Sequence, residues 1–145
     1  MKNDCYLPRY EDSWALVIGI NEYLHGMRLE IACADAESIA QALTDDLGFP
    51  ASNVVTLLDA QATRTNIMEH FLRFDSTEPN DRLFVFFAGH GETISSHRGP
   101  VGYLVPVDGN LIPRARSSDG TNSRAMQTSS PPNTSCSLWM LVTAA

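Results

Sequence analysis

Apolar and polar residues follow one another in blocks that predict alternating strands and helices. Three continuous apolar runs predict strands that are covered on both faces, because a strand with one solvated face would alternate. These runs are Trp14–Ile20, Val54–Leu58 and Leu83–Ala88. A short fourth strand is predicted at Tyr103–Val105. The segments between the first three runs repeat their apolar residues at intervals of three and four, which is typical of helices.

Two helices are therefore predicted between the first three strands. The first has Asp35 as its N-cap and Gly48 as its stop signal. Its apolar face consists of Ala36, Ile39, Ala40, Leu43 and Leu47. The second helix is capped by Thr63 or Thr65, and its apolar face consists of Ile67, Met68, Phe71 and Phe74. The order strand–helix–strand–helix–strand predicts an α/β fold with a parallel sheet, right-handed crossovers and helices on the faces of the sheet.

The composition changes near residue 110. Before it the chain is dense in periodic apolar residues, whereas Ser, Thr, Pro and Asn dominate from Leu111 to Ser137. Such a stretch buries too little apolar surface to offset the entropy lost on ordering. We expect an N-terminal lead at 1–13, a folded domain at 14–110 and a tail at 111–145 that is disordered or encoded in a shifted frame.

Composition and charge narrow the class of protein. A chain of 145 residues with 43% hydrophobic and 19% charged residues has room for one globular domain. A net charge of −7 argues against nucleic acid as a partner. No apolar run approaches the roughly 20 residues that span a bilayer, and the first residues do not resemble a secretory signal. Three scattered cysteines fit a reducing compartment, so we expect a cytoplasmic protein without a membrane partner.

The segment Gly89-His90-Gly91 is the first candidate for chemistry. It follows the most hydrophobic predicted strand, and open α/β sheets place their functional residues just beyond the carboxyl ends of strands. The flanking glycines let the backbone approach a ligand closely and leave N–H groups free to point at it. A turn in which His90 merely ends a strand is the simpler alternative, but this location favours a functional site.

Other kinds of site are not supported by a motif. The histidines and cysteines show none of the usual zinc-ligand spacings. The chain also has neither of the glycine-rich phosphate loops that mark dinucleotide and nucleoside triphosphate sites. We therefore expect neither a metal ion nor a cofactor.

Five segments resemble the caspase-like cysteine peptidases, the superfamily of caspases, metacaspases and bacterial caspases. They are Trp14–Tyr23, Ala32–Ala36, Ala62–Ile67, Phe86–Gly91 and Gly102–Asp108. The segments occur in the family's order and on the corresponding elements. The resemblance implies a three-layer α/β/α sandwich around a mostly parallel sheet, incomplete at its C-terminus in this chain. It also implies cysteine-type endopeptidase activity on peptide or protein substrates.

The resemblance assigns roles to three residues. His90 falls on the family's catalytic histidine, which serves the cysteine as a base and protonates the leaving amine. The main-chain N–H of Gly91 would be one oxyanion donor, and the N–H of the nucleophile would be the other. Asp35 aligns with an acidic residue that lines the S1 pocket of the metacaspase-like branch and favours Arg or Lys at P1. A plain helix N-cap explains Asp35 at least as well.

The family's nucleophilic cysteine has no counterpart among the three cysteines. The family places it after a further strand, in a motif similar to Asp-Ala-Cys-x-Ser-Gly, about 50 residues beyond the histidine. Cys5 precedes the first strand, and Cys33 opens the first helix. Cys136 lacks both the preceding apolar strand and the following glycine. We expect all three to be ordinary thiols, so that the chain as written lacks its nucleophile.

A shifted reading frame restores this motif. Trp139 and Met140 each have a single codon, so with a CTN codon for Leu141 the frame that joins the last base of each codon to the next two bases fixes Asp-Ala. The next four codons in that frame permit Cys-Tyr-Ser-Gly, and the preceding codons permit a mostly apolar strand. The hidden cysteine straddles Leu141 and Val142, at the family's distance from His90. We infer a frame slip between about Asn110 and Asn133.

Two functional hypotheses remain open. In the first, the gene encodes a caspase-like endopeptidase, and this chain is its N-terminal part, inactive as written. In the second, the chain is a pseudo-peptidase that binds a partner through its half-sheet. Without the strand that should precede the cysteine, the third strand has an exposed edge. We therefore also expect self-association and marginal solubility.

Overall fold

The computed structural model describes residues 10–110 and 135–143, with the backbone alone described at 94–96 and 135–143. The strands are β1 (Ser13–Gly19), β2 (Val54–Leu58), β3 (Arg82–Ser96), β4 (Gly99–Leu104) and β5 (Ser135–Thr143). The helices are α1 (Ala32–Asp45) and α2 (Arg64–Leu72), and short 3-10 helices lie at Ala51–Asn53, Asp59–Gln61 and Arg73–Ser76. The predicted α/β fold class is confirmed.

The sheet has parallel strands at its centre and antiparallel strands around β3. Its order is β2-β1-β3-β4, and β5 also pairs with β3. β1 runs parallel to both β2 and β3, as predicted from the helical crossovers. β4 runs antiparallel to β3, because only the two residues His97 and Arg98 separate the two strands. A connection this short makes a hairpin, whereas a parallel neighbour requires a long crossover.

Alternate side chains of the central strand enter two different cores. Ala15 and Val17 pack in the core that contains α1, whereas Leu16 and Ile18 pack on the opposite face with Ile67 of α2. β3 alternates in the same way, since successive side chains of a strand point to opposite faces. Both faces are covered, which explains the continuous apolar runs and gives the predicted three layers.

The start of α1 differs from the sequence prediction. Asp35 is not the N-cap: it lies in the first turn, and Ile31 occupies the cap position without a side-chain hydrogen bond. The polar group comes from the end of β1 instead, where the Asn21 side-chain oxygen accepts the Cys33 N–H at 3.3 Å. Because this acceptor is distant in sequence, no local capping pattern reveals it, and the helix begins three residues before Asp35.

The end of α1 agrees in part with the prediction. Gly48 has a φ of 70°, a left-handed conformation that suits glycine and ends the helix as expected. Leu47 lies beyond Asp45, the last residue of α1, and is 55% exposed. The prediction that Leu47 belongs to the apolar face is therefore wrong, because the helix ends before its spacing reaches that position.

Thr63, and not Thr65, is the N-cap of α2. Its side chain accepts a hydrogen bond from the Asn66 N–H at 3.2 Å. Ile67 and Phe74 pack against the core as predicted. Met68 and Phe71 are 47% and 43% exposed, so the predicted apolar face is narrower than expected.

β5 lies in the segment whose composition did not predict a strand. It runs antiparallel to β3 from the pair Arg82–Thr143 to the pair His90–Ser135. β1 occupies the other edge of β3, so the edge on which the expectation of self-association rested is covered in this structure. The lead at 1–9, with Cys5, and the remainder of the tail lie outside the described residues.

Candidate active site

His90 lies where β3 leaves the parallel part of the sheet. β3 continues through it to Ser96, so Gly89-His90-Gly91 is extended strand and not the predicted strand end. The His90 side chain is buried, with 8% of the residue exposed. Its main-chain N–H donates to the Tyr23 hydroxyl at 2.7 Å, and its carbonyl accepts the Val105 N–H at 3.0 Å. These bonds hold the backbone on both sides of the imidazole.

The imidazole of His90 has one nitrogen with a fixed partner. Nε2 lies 2.7 Å from the main-chain carbonyl oxygen of Met27. A carbonyl oxygen only accepts hydrogen bonds, so the neutral ring carries its proton on Nε2 and its lone pair on Nδ1. Nδ1 is therefore the nitrogen that can take a proton from a nucleophile.

Tyr23 holds His90 through both its ring and its hydroxyl. The two ring centroids are 4.7 Å apart with planes inclined by 43°. Gly89 makes this approach possible, because a Cβ at that position would collide with the Tyr23 hydroxyl. Burial raises the pKa of Tyr23 to about 12. The phenol is therefore neutral near pH 7, and its oxygen serves as the acceptor for the His90 N–H.

Met27 belongs to the loop between β1 and α1, and Asn21 ties that loop together. The Asn21 carbonyl accepts the Leu29 N–H at 2.9 Å, which closes the loop on itself. The Asn21 side chain meanwhile caps α1 at Cys33. Between these ties, the Leu24 N–H donates to the Val107 carbonyl at 3.0 Å. The loop thus has fixed points on either side of Met27.

Asp59 follows β2 and anchors the same loop where it leaves β1. Its Oδ1 accepts the N–H groups of Asn21 and Glu22 at 2.7 and 2.9 Å. Partial burial raises the pKa of the Asp59 carboxyl, but the two N–H donors, the Cys33 thiol and the Arg28 charge outweigh it and lower the pKa below its ordinary value. Asp59 has a φ of 41°, which is uncommon for a residue other than glycine.

Cys33 has the properties of an ordinary thiol. Its Sγ donates to the Gly19 carbonyl at 3.4 Å. Burial, together with the neighbouring Asp59 carboxylate, raises the pKa of the thiol. A raised pKa disfavours the thiolate, which is the reactive form of cysteine.

The backbone register also separates Cys136 from His90. Cys136 is paired with Gly89, and Ser135 is paired with His90. Cross-strand partners share a face of the sheet, whereas successive residues lie on opposite faces. The position of Cys136 therefore falls on the face opposite to that of His90.

Gly91 directs its main-chain N–H away from β4. It is paired with Leu104, and the adjacent hydrogen bond runs from the Val105 N–H to the His90 carbonyl. In an antiparallel ladder this pattern makes Gly91 and Leu104 a non-hydrogen-bonded pair, whose own N–H groups point outward. The Gly91 N–H consequently points toward the edge of β3 that β5 follows only as far as His90.

Asp35 lies apart from these contacts. It is exposed on the first turn of α1, and its N–H donates to the Ile31 carbonyl at 2.9 Å. Among the described residues, His90 makes hydrogen bonds with Tyr23, Met27 and Val105 and a ring contact with Tyr23. The structure therefore does not bring Asp35 against the histidine.

The sequence analysis missed Asn21, Tyr23 and Asp59 as residues of this site. All of them lie shortly after the end of a parallel strand: Asn21 and Tyr23 follow β1, which ends at Gly19, and Asp59 comes directly after β2. The rule that pointed to the carboxyl end of β3 applies equally to these strands, so their polar residues could have been found with it.

Two further findings concern the whole described chain. In residues 10–110 and 135–143, no three His, Cys, Asp or Glu side chains form a group that could hold a metal ion. Neither α1 nor α2 is long and apolar enough to cross a membrane.

Comparison with known proteins gives consistent results. Metacaspase-1A of Aspergillus oryzae is 35% identical over 85 residues, which cover 53% of this chain and 20% of that protein. Metacaspase-1 of Eremothecium gossypii is 34% identical over 85 residues, which cover 53% of this chain and 19% of that protein. The chain thus spans about a fifth of the length of these relatives.

Protein GSU0716 from Geobacter sulfurreducens has a similar fold. The TM-score is 0.58 at 24% identity, and the similarity covers 69% of this chain and 41% of that one. The model of the caspase domain family matches residues 12–131. This match includes most of the chain and the residues Tyr23, Met27 and Val105 that contact His90. The chain therefore belongs to the caspase domain family, a family of peptidases.

Proposed function

We propose that the gene encodes a caspase-like cysteine endopeptidase in which His90 is the acid–base residue. One observation carries the proposal: the Met27 carbonyl fixes the proton on Nε2 and leaves the Nδ1 lone pair free. A buried histidine needs a partner for its N–H in any setting, and His90 pairs through Nε2, so Nδ1 is the nitrogen left to take a proton from a thiol. The burial of the ring and its contact with Tyr23 support the same role, because a general base needs a fixed orientation.

The proposed reaction is peptide-bond hydrolysis through an acyl-enzyme. Nδ1 of His90 takes the proton of a cysteine thiol, and the resulting thiolate attacks the substrate carbonyl carbon. The imidazolium then protonates the departing amine, and water hydrolyses the thioester with His90 again as the base. The N–H of Gly91 is proposed as an oxyanion donor, because the register turns it away from β4.

The nucleophile of this reaction is absent from the chain as written. We infer that the coding sequence slips between about codons 110 and 133, and that the alternative frame encodes Asp-Ala-Cys-Tyr-Ser-Gly over Trp139–Ala145. The raised pKa of Cys33 and the register of Cys136 support this inference, because both argue against a substitute nucleophile. The printed chain is accordingly proposed to be inactive and to be located in the cytoplasm.

Substrate preference is proposed from Asp35. The resemblance to the metacaspase-like branch implies that this exposed carboxylate is part of an S1 pocket for Arg or Lys. Its position in the first turn of α1 also suits a negative charge near a helix N-terminus, so the role needs a direct test. Peptides that differ only in Arg or Asp at P1 distinguish a basic from an acidic preference.

Sequencing of the coding DNA and of the transcript across codons 105–145 tests the frame. A gene that reads Asp-Ala-Cys-Tyr-Ser-Gly in the alternative frame, and stays open beyond it, supports the peptidase. Other bases at the free positions overturn the frame slip. In that case, the chain is a caspase-fold protein without catalysis, and a binding role becomes its function.

Turnover by the frame-corrected protein tests the role of His90. We expect the corrected protein to cleave a P1-Arg or P1-Asp peptide, and His90→Ala to lower kcat by roughly 10²-fold or more. His97→Ala is the matched control, because His97 is exposed in the β3–β4 turn. Equal loss in both variants would contradict the proposed role.

A further inference from the structure

Asp59 adopts a backbone conformation that is uncommon for a residue other than glycine. Its φ of 41° places a non-glycine residue in the left-handed region directly after β2. Such a conformation persists only where the surrounding contacts determine it, and those contacts often belong to a functional site. Here the contacts include the two hydrogen bonds that its Oδ1 accepts from the residues after β1, and its carbonyl also accepts the Ala62 N–H at 2.9 Å.

These two hydrogen bonds act at the point where the chain turns from β1 into the loop. A single oxygen holds the successive N–H groups of Asn21 and Glu22 at 2.7 and 2.9 Å. The peptide at Asn21 is thereby fixed, and its carbonyl accepts the Leu29 N–H from the far end of the loop. Asp59 therefore holds the peptide at which the two ends of the loop are joined by a hydrogen bond.

The functional atom of this loop is the Met27 carbonyl oxygen. It lies between the two residues joined at the base of the loop, Asn21 and Leu29, and it is the partner of His90 Nε2. Met27 is 56% exposed, so packing of its side chain does little to place the carbonyl. Its position depends on the hydrogen bonds that tie the loop backbone, which are the bond from the Leu24 N–H to the Val107 carbonyl and the closure at Asn21 that Asp59 supports.

We propose that Asp59 is a positioning residue for His90. Through Asn21 and Glu22 it holds the loop whose Met27 carbonyl selects the Nε2–H form of the imidazole. Asp59 touches neither the histidine ring nor a substrate in this scheme. The inference rests on the proposed function only for its catalytic consequence, since the choice of tautomer can be measured in the chain as it exists.

Charge explains why a carboxylate suits this position. An ionised oxygen accepts two N–H donors more strongly than a neutral one. The same donors help to lower the pKa of Asp59, so the group is ionised near neutral pH. Asn tolerates the left-handed conformation and keeps an acceptor oxygen, whereas Gly keeps the conformation and removes the acceptor.

The test compares these two substitutions by the tautomer of His90. Chain 1–145 is labelled with ¹⁵N, and the imidazole nitrogens are observed by long-range ¹H–¹⁵N correlation at a pH where His90 is neutral. We expect wild type and Asp59→Asn to show the Nε2–H form. We expect Asp59→Gly to show a shift toward a mixture with the Nδ1–H form. An unchanged Nε2–H spectrum in folded Asp59→Gly would overturn the proposal.

Two further variants keep the test decisive. Asp59→Ser has a side chain too short to hold both N–H groups, so the same tautomer shift is required of it if Asp59→Gly does not fold. Glu37→Ala removes an exposed carboxylate on α1 and is expected to leave the His90 spectrum unchanged. A shift in Glu37→Ala equal to that in Asp59→Gly would contradict a specific role for Asp59.

Kinetics of the frame-corrected protein separate this inference from the proposed function. If both proposals hold, Asp59→Gly lowers kcat roughly 10-fold or more with little change in KM. Asp59→Asn is then expected to keep most of the wild-type kcat. A tautomer shift without loss of activity supports the positioning role and contradicts the role of His90. An unchanged tautomer in an enzyme that still needs His90 contradicts the positioning role alone.

Discussion

Around His90, individual residues have structural roles that their residue types alone do not indicate. Gly89 is needed because a side chain there would occupy the space of the Tyr23 hydroxyl. That hydroxyl in turn accepts the His90 N–H, which would otherwise lack a partner from a neighbouring strand. A buried polar group without a partner is costly, so Tyr23 and His90 depend on each other.

Tyr23→Phe is expected to destabilise the protein by about 1–3 kcal/mol, because it leaves the buried His90 N–H without its acceptor. Urea denaturation measures the change in the free energy of unfolding. Tyr103→Phe is the control, since Tyr103 is 52% exposed and water can replace its contacts. Similar losses in the two variants would show that the hydrogen bond to His90 contributes little.

Asp59 is expected to make stability depend on pH in the acid range. The pKa of the Asp59 carboxyl in the folded protein lies below the ordinary value of 3.8. The ionised carboxylate therefore adds to the free energy of unfolding above pH 3.8, and this contribution is lost as the pH falls through the folded-state pKa. Urea denaturation between about pH 2 and pH 6 should therefore show wild type approaching Asp59→Asn in stability as the pH falls. A difference that stays constant over this range would contradict the depressed pKa.

The elements begin and end where hydrogen-bond partners are available. The α2 terminus follows the local rule, because Thr63 bonds to the N–H three residues later. The α1 terminus does not follow it, because its acceptor comes from Asn21 at the end of β1. β3 extends past its predicted end since the hairpin with β4 supplies partners as far as Ser96.

Thr63→Ala is expected to cost about 1 kcal/mol of stability through loss of the α2 cap. Thr65→Ala is a closely matched control, since Thr65 is exposed within the first turn of the same helix and is not its cap. Thermal or urea unfolding of the two variants gives the comparison. A larger loss of stability in Thr65→Ala than in Thr63→Ala would show that Thr63 is not the cap of α2.

For the molecule as a whole, parallel pairing brings distant residues to one edge of the sheet. Residues that follow β1 and β2 lie there beside His90, which is within β3, because the three strands run parallel and in register. Tyr23 and His90 are in contact although 67 positions separate them. On the edge of β3 opposite β1, all of β5 pairs with the part of β3 from Arg82 to His90 and covers the backbone groups of that edge.

A chain that ends at Asn110 is expected to associate more strongly than the full chain. Without β5, the N–H and C=O groups along one edge of β3 are free to pair with another molecule. Sedimentation of both chains at several concentrations measures the association, and hydrogen exchange reports protection of 83–88. Equal association and equal protection would show that β5 does not cover this edge in solution.

The sequence by itself determined the α/β class, the strand cores, the threonine cap of α2 within one turn, and His90 as the candidate residue. These features depend on local patterns: side-chain period, capping chemistry and position at the end of an apolar run. Only the tertiary structure decided that Asn21 caps α1, that Asp59 anchors the loop, and that the Met27 carbonyl assigns the His90 tautomer. Each of these is a hydrogen bond between residues far apart in sequence, and the partner exists only once the strands have paired.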